Sequence, residues 1–308
     1  MAKIPEIILP GTKQRLPVLG FGSVAIGGLY GESAQQQNIG AVQTAYDRGI
    51  FWFDTSPFYA NSEEQLGIAL KELGAKDIVI STKAGREFVD GNDGGRFDFS
   101  PANIRSSLER SMNRIGVNFI NLYIAHDVEF AEKPEQIIKE TIPAMRELQQ
   151  EGKIGYVGFS GYPLLMFPAF LEKVKGDFIL TYAHHCLHDS TVARLIPYLK
   201  QKGVGILGGS PTGLGLLTER GPQYWHPAPD DVKAACASAR DYCKQQGISF
   251  AHLSMQFALG MLGPKGIGAM LMGTSRSNEV LENIAALDTK PDETHLKEVL
   301  KRLEPIQG

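Results

Sequence analysis

Cysteine is scarce in this chain. Its 308 residues include three, Cys186, Cys236 and Cys243, which do not suggest a disulfide framework. Cys236 and Cys243 fall two turns apart on an expected helix, roughly 10 Å along its axis, whereas bridged Cα atoms lie within about 7 Å. Reduced thiols fit a cytosolic protein. An excess of positive charge is also missing: 31 Lys and Arg stand against 34 Asp and Glu, a net charge of −3. No basic face suited to nucleic-acid phosphates stands out, which argues against such a partner. Nor is there an uninterrupted apolar stretch long enough to span a bilayer. Residues 1–10 carry Lys3 and Glu6 and no apolar signal-peptide core. The expectation is a cytoplasmic protein, monomeric or weakly homo-oligomeric, with neither a membrane nor a nucleic-acid partner.

What is present is alternation. Hydrophobic residues make up 43% and charged residues 21%, the balance of a soluble protein with a sizeable core. Short apolar, β-branched or aromatic runs occupy 18–22, 51–55, 78–83, 119–126, 154–160, 178–183, 204–210 and 267–272. Such runs are expected of parallel strands covered on both faces. Between them lie helical patterns at 35–48, 62–73, 102–115, 136–151, 164–174 and 191–202. Eight strands with a helix in every gap is the count of a closed (β/α)8 barrel, the TIM-barrel architecture, whereas an open doubly wound sheet needs no eighth strand. Residues 6–17 hold two strand candidates around Pro10-Gly11-Thr12, an expected hairpin capping one end. Extra helices are expected at 230–246, 249–262 and 294–303, the first preceded by a Pro/Gly/Trp-rich loop. No linker or composition shift divides the chain, so residues 1–308 read as one domain.

In a parallel barrel, chemistry gathers at the carboxyl ends of the strands. Asp54, Lys83 and His126 end the second, third and fourth runs, and Tyr59 follows Asp54 in the next loop. Any one could be a strand meeting solvent; four on three consecutive strands point to one mouth. A second pattern, G-x-G-x-x-G over 203–208, leaves a helix and enters a strand, the reverse of a dinucleotide fingerprint. The better phosphate cradles are 210–214 and 273–276, after strands seven and eight, the latter ahead of a helix whose amides favour anions. His184, His185, Cys186, His188 and Asp189 have ligand chemistry but no matching second cluster, so no metal is expected.

Phe53-Asp54-Thr55-Ser56 with Tyr59, then Ser81-Thr82-Lys83, then Tyr123-Ile124-Ala125-His126 resemble the signature of the aldo-keto reductases. The similarity continues through Gly158-Phe159-Ser160 and Ser210-Pro211 to Glu282-Asn283. The resemblance implies that Tyr59 exchanges the substrate's proton, that Lys83 and Asp54 tune it, and that His126 orients the substrate. Physically, a tyrosine with a pKa near 10 is a poor base at neutrality, and an adjacent ammonium favours its phenolate. The implied cofactor is NAD. Its nicotinamide would meet Ser160 and Tyr182, with Gly22, Ser23 and Asp54 nearby. Ser210, Pro211, Thr212, Leu214, Gly273, Ser275 and Arg276 would hold phosphates, and Glu282 with Asn283 the adenine. Relatives that prefer NADP carry Arg four residues before that Asn; here Glu279 stands there, with Arg276 close enough to soften its effect.

Three departures matter. Gly209 occupies the position of the aromatic that stacks on nicotinamide in many relatives, Gly161 that of a common Asn, and Tyr182 that of a common Gln. The run from Asp189-Ser190-Thr191 to Trp225-His226-Pro227-Ala228 is similar to a plant-type subgroup that oxidises the C1 hydroxyl of L-galactose to a lactone. A sugar is then the implied partner, contacted by Tyr59, His126, Asp127, His184, His185 and Trp225.

Overall fold

The computed structural model describes residues 3–263 and 266–306. A hairpin of β1 (Glu6–Ile8) and β2 (Arg15–Pro17) comes first. Its Leu9 and Leu16 are fully buried with Trp52, Leu122 and Phe178 in the barrel interior, so the hairpin plugs one end. Then follow β3 (Leu19–Gly22), α1 (Gln35–Asp47), β4 (Trp52–Asp54), α2 (Ser62–Leu73) and β5 (Val79–Ala84). After an antiparallel pair, β6 (Arg86–Val89) and β7 (Asn92–Phe97), come α3 (Pro101–Ile115) and β8 (Ile120–Ala125). The next helix begins as α4 (Pro134–Gln136), widens into a π turn (Ile137–Thr141) and continues as α5 (Ile142–Gln150). The barrel is completed by β9 (Ile154–Gly161), α6 (Met166–Leu171), β10 (Phe178–Tyr182), α7 (Val192–Gln201), β11 (Gly205–Gly209) and β12 (Ala269–Gly273). Between the last two strands sit α8 (Asp230–Gln246) and α9 (Phe250–Leu259); α10 (Ser277–Ala285) and α11 (Glu293–Leu303) end the chain.

The eight parallel strands close in chain order, β12 pairing with β3 through Met270↔Leu19 and Gly273↔Gly22. This is the (β/α)8 barrel expected from the alternation. Local chemistry sets the helix ends. Ser100 caps α3 by accepting the Asn103 amide, Pro101 opens it, and Gly116 ends it at φ 79°. The π turn answers a sequence conflict. Pro143 has no N–H to return to the preceding turn, and the widened turn accommodates it while Thr141 Oγ1 donates to Phe99 O at 2.7 Å. No described helix is long and apolar enough to cross a membrane.

Because side chains alternate along a strand, the interior face reads in columns. Trp52 leads to Asp54, Val79 and Ser81 to Lys83, Leu122 and Ile124 to His126, Phe178 and Leu180 to Tyr182, and Ala269 and Leu271 to Gly273. Apolar layers fill the barrel, and the top of each column faces the mouth.

Trp52, wholly buried, crosses the floor beneath that mouth, and only a glycine on the neighbouring strand admits it. A Cβ on Gly20 would fall 2.3 Å from the Trp52 ring. Gly20→Ala should therefore destabilise the fold by about 1–3 kcal/mol, seen as a lower midpoint in thermal unfolding followed by circular dichroism. An unchanged midpoint would show that Trp52 is not locked there.

Candidate active site

The carboxyl ends of β4, β5 and β8 bring Asp54, Lys83 and His126 together, and the turn before α2 adds Tyr59. Lys83 Nζ donates to Asp54 Oδ2 at 2.6 Å and to Thr55 O at 2.8 Å, and stands 4.6 Å from the centre of the Tyr59 ring. Asp54 Oδ1 accepts from Ser81 Oγ at 2.7 Å, which in turn accepts from Trp52 Nε1 at 2.9 Å. The two charged side chains are 1% and 3% exposed, a burial tolerable only because each is paired and hydrogen-bonded. Burial pushes the Asp54 carboxyl up, against the pull of Lys83 and Ser81. For Lys83, burial pulls down, but Asp54 and Tyr59 outweigh it and hold the ammonium above its ordinary value. Tyr59 departs from expectation. Burial raises its phenol and Lys83, pulling the other way, does not win, so the free site keeps Tyr59 protonated at neutral pH.

His126 Nδ1 lies 3.1 Å from Ser56 Oγ and Nε2 3.7 Å from Asp127 Oδ2. Its ring meets Tyr59 edge-on at 5.8 Å. Burial, opposed by Asp127, lowers its pKa to about 3, so the imidazole is neutral. Asp127 adopts φ 50°, a left-handed conformation that Asp tolerates better than most. Its Oδ2 accepts from Arg86 Nη1 at 2.6 Å. Arg86, delivered by the β6–β7 hairpin, lies 3.5 Å over the Phe58 ring.

From this cluster a cavity of about 1880 Å³ extends to α10. The column tops divide its floor. Asp54, Lys83, His126, Ser160 and Tyr182 come from five adjacent strands, β4 to β10, and all line it. Gly209, Gly273 and Gly22, from the adjacent β11, β12 and β3, line it too, so these three strand ends bring no side chain of their own. Tyr182 is the register partner of Gly209, so the aromatic ring absent from β11 stands one strand over. The remaining expected cofactor residues, Ser210, Pro211, Thr212, Leu214, Ser275, Arg276, Glu282 and Asn283, also line the cavity. Ser23 does not. The chain enters a 3-10 turn (Ser23–Gly27) at that residue and buries its side chain, leaving Val24 and Ala25 on the wall. Glu279 Oε1 accepts from Arg276 Nη1 at 3.0 Å and from Arg220 Nη2 at 3.0 Å. Arg220 thus ties α10 to the loop after β11.

On the other side, Tyr59, His126, Asp127 and Trp225 line the cavity, Trp225 packing 5.5 Å from Tyr30. His226 anchors that loop, donating from Nε2 to Gly213 O at 2.9 Å and accepting the Ala228 amide at Nδ1. The expectation for His184 and His185 needs correction: neither is on the wall, and His188 is. The reason lies in the backbone. Ala183 adopts φ 61°, and Cys186 and Asp189 then exchange backbone hydrogen bonds in a tight turn. His184 ties Asp189 Oδ2 to Tyr162 O, each at 2.7 Å, and His185 is fully buried. Sequence reasoning also missed Arg86, Glu129 and Arg220 on the wall. Glu129 was open to discovery, three residues past His126 in the same strand-end loop. Among the described residues no group of three or more His, Cys, Asp or Glu side chains is arranged to hold a metal ion.

A closed parallel barrel whose mouth gathers a buried Lys–Asp pair, a tyrosine and a neutral histidine is the architecture of a barrel enzyme. Residues 18–303 match the Aldo/keto reductase family, and the chain belongs to it. It is 38% identical over 319 residues to the L-galactose dehydrogenase of Arabidopsis thaliana, spanning 100% of this chain and 97% of that one. To the D-arabinose 1-dehydrogenase of Saccharomyces cerevisiae it is 28% identical, over 78% of this chain and 73% of that one. Among solved structures, the holo form of an aldo-keto reductase from Bacillus halodurans superposes with a TM-score of 0.76 at 23% identity, covering 97% and 96% of the two chains.

The three thiols stand apart from this chemistry. Burial pushes Cys186 and Cys236 up to about 12 and Cys243 to about 11, and thiolate is the reactive form. A thiol-specific chromogenic disulfide at mildly alkaline pH should label none of them in the folded protein and all of them in denaturant. Rapid labelling without denaturant would contradict the burial.

Proposed function

We propose that this protein oxidises the C1 hydroxyl of an aldose, L-galactose foremost, to the aldonolactone with NAD as hydride acceptor. The carrying observation is the wall beside Tyr59 and His126. There two acids, Asp127 and Glu129, line the cavity beside Arg86. Sugar hydroxyls are donors that such acceptors suit, and a pocket for simple apolar aldehydes has no use for them. The names of the two relatives above, both sugar dehydrogenases, support the same reading.

The chain's own residues fit a dinucleotide. The cavity exceeds the roughly 300–1,000 Å³ typical of small-ligand sites, and its glycine half, over Gly209, Gly273 and Gly22, gives a flat ring room. Tyr182 and Ser160 would border the nicotinamide. The loop 210–214 and the start of α10 would take the phosphates, with Arg220 and Arg276 as cations. Glu282 and Asn283 would take the adenine. When bound, the nicotinamide supplies the hydride acceptor. Everything else falls to the protein: Tyr59 takes the C1 hydroxyl's proton, Lys83 favours the phenolate so formed, Asp54 keeps Lys83 charged, and His126 positions the substrate oxygen.

Tyr59→Phe removes the proton acceptor and keeps the ring. Turnover should fall by at least about 100-fold with cofactor affinity little changed, and near-normal turnover would sink the assignment. The sign of the pH dependence follows from burial. Oxidation needs the phenolate of a tyrosine held above its ordinary value, so its rate should climb from neutrality toward roughly pH 10, while reduction, which uses the protonated form, stays flat over that range. Substrate and cofactor are tested together by screening aldoses with NAD and with NADP, following reduced nicotinamide by absorbance. L-Galactose with NAD should lead. If the protein ignores L-galactose and reduces small aldehydes with NADPH, a general reductase is the better reading. Because the Glu279 carboxylate would repel a 2′-phosphate, Glu279→Ala should shift specificity toward NADP by about tenfold, roughly 1.4 kcal/mol. No shift would leave NAD preference without this cause.

A further inference from the structure

We propose that Ser56 fixes the tautomer of His126, keeping the ring hydrogen on Nε2, so that the substrate oxygen meets a donor and its proton is left to Tyr59. The proposal rests on the reading of Tyr59 and His126 above, and concerns a residue that reading does not use.

Ser56 is fully buried in the turn after β4. Its Oγ accepts the Phe58 amide hydrogen at 3.1 Å and lies 3.1 Å from His126 Nδ1. A hydroxyl offers one hydrogen and two lone pairs, and a neutral imidazole has one N–H and one bare nitrogen. If Nδ1 carried the ring hydrogen, it would donate to Ser56 Oγ. The oxygen would then accept twice, and the Ser56 hydrogen would lie buried with no acceptor. Among the described residues Ser56 Oγ has hydrogen-bond contacts only with Phe58 N and His126 Nδ1, while Ser62 Oγ pairs with Thr55 Oγ1 and the Ser56 carbonyl. Buried donors are rarely left without an acceptor. The consistent arrangement runs Phe58 N–H to Ser56 Oγ, and Ser56 O–H to a bare Nδ1.

The far side of the ring leaves the choice to Ser56. Nε2 lies 3.7 Å from Asp127 Oδ2, beyond hydrogen-bond reach, and that oxygen already accepts from Arg86. Burial keeps the ring neutral, its pKa lowered to about 3 against the pull of Asp127, so one of two tautomers is present and Ser56 selects it.

The consequence is directional. In oxidation the C1 hydroxyl has one hydrogen to lose. An Nε2–H donates into the oxygen's lone pair and cannot accept, so the O–H bond breaks toward Tyr59 Oη and His126 gains and loses nothing. A bare Nε2 would accept that hydrogen bond and compete with Tyr59. Ser56 is thus a positioning residue, acting through His126.

The test reads the tautomer itself. Full-length protein with ¹⁵N-labelled histidine is examined by two-dimensional NMR with NAD present and absent, and the His126 signals are assigned by their loss in His126→Gln. In the wild type, Nδ1 should be pyridine-like and Nε2 pyrrole-like; the inverse overturns the proposal, even if no Ser56 variant folds. In Ser56→Ala the pattern should become mixed or inverted, and turnover should fall roughly tenfold to hundredfold at unchanged NAD affinity. Ser56→Thr, which keeps the hydroxyl, should recover most of the loss. A wild-type pattern in Ser56→Ala also overturns it. The NMR readout does not depend on which sugar is turned over, so failure of the L-galactose reading leaves this result standing, and the reverse.

Discussion

Everything at the mouth of this barrel depends on one ammonium–carboxylate contact in a place where neither charge could stand alone. Lys83 and Asp54 meet at 2.6 Å with almost no exposure. Removing one partner of such a pair typically costs about 3–5 kcal/mol, because the survivor is left buried and uncompensated. The barrel meets that demand by register. Asp54 and Ser81 are paired across β4 and β5, and Lys83 follows Ser81 by one period of the pleat, so all three face inward at neighbouring points. Trp52, one period below Asp54, completes the set by donating to Ser81. The apolar core and the polar site are therefore continuous: the ring that fills the floor also begins the chain of hydrogen bonds that orients the carboxylate.

Above this anchor, burial and pairing divide the work. Burial, the largest cause in each case, makes His126 neutral and keeps the Tyr59 phenol protonated in the free site. Pairing keeps Lys83 charged despite the same burial. One charged, one protonated and one neutral group thus share a small volume at ordinary φ, although Ala60 and Asp127, which follow Tyr59 and His126, are left-handed. The strain is displaced to the rim. Asp127, Ala183, Ser210 and Leu214 all adopt positive φ without being glycine, between 50° and 61°, and all line the cavity. Such conformations persist where surrounding structure over-determines them, and they gather at functional sites.

The barrel was legible in the sequence because buried parallel strands are apolar on both faces; each of the eight expected runs overlaps an observed strand. Asp54, Lys83 and His126 were legible for a related reason, as polar residues closing apolar runs. What escaped lies where no periodicity operates. The β6–β7 hairpin is exposed and glycine-rich, with no apolar face to betray it, yet it carries Arg86 to the site. His184 and His185 were assigned to the wrong side of a turn because the left-handed Ala183 leaves no mark on composition. Ser23 was lost to a 3-10 turn for the same reason. Ser56 sat in plain view within Phe53-Asp54-Thr55-Ser56, but its use depends on which hydrogen goes where, and that needs coordinates.

The glycine half of the mouth completes the logic. Gly209, Gly273 and Gly22 lie on three adjacent strands, and each is the top of its interior column. A methyl at Gly209 would meet Tyr182 Cβ at only 3.4 Å, so even alanine would begin to fill the space beside that ring. Five strands supply reacting and orienting groups; three supply room. On the proposed reading, a cofactor laid against the glycine half would face the chemical half across the mouth, with the substrate between them. The loss of an aromatic at position 209 is then no defect. With Tyr182 in register beside it, the aromatic surface has moved to the neighbouring strand and the glycine keeps the space in front of it open.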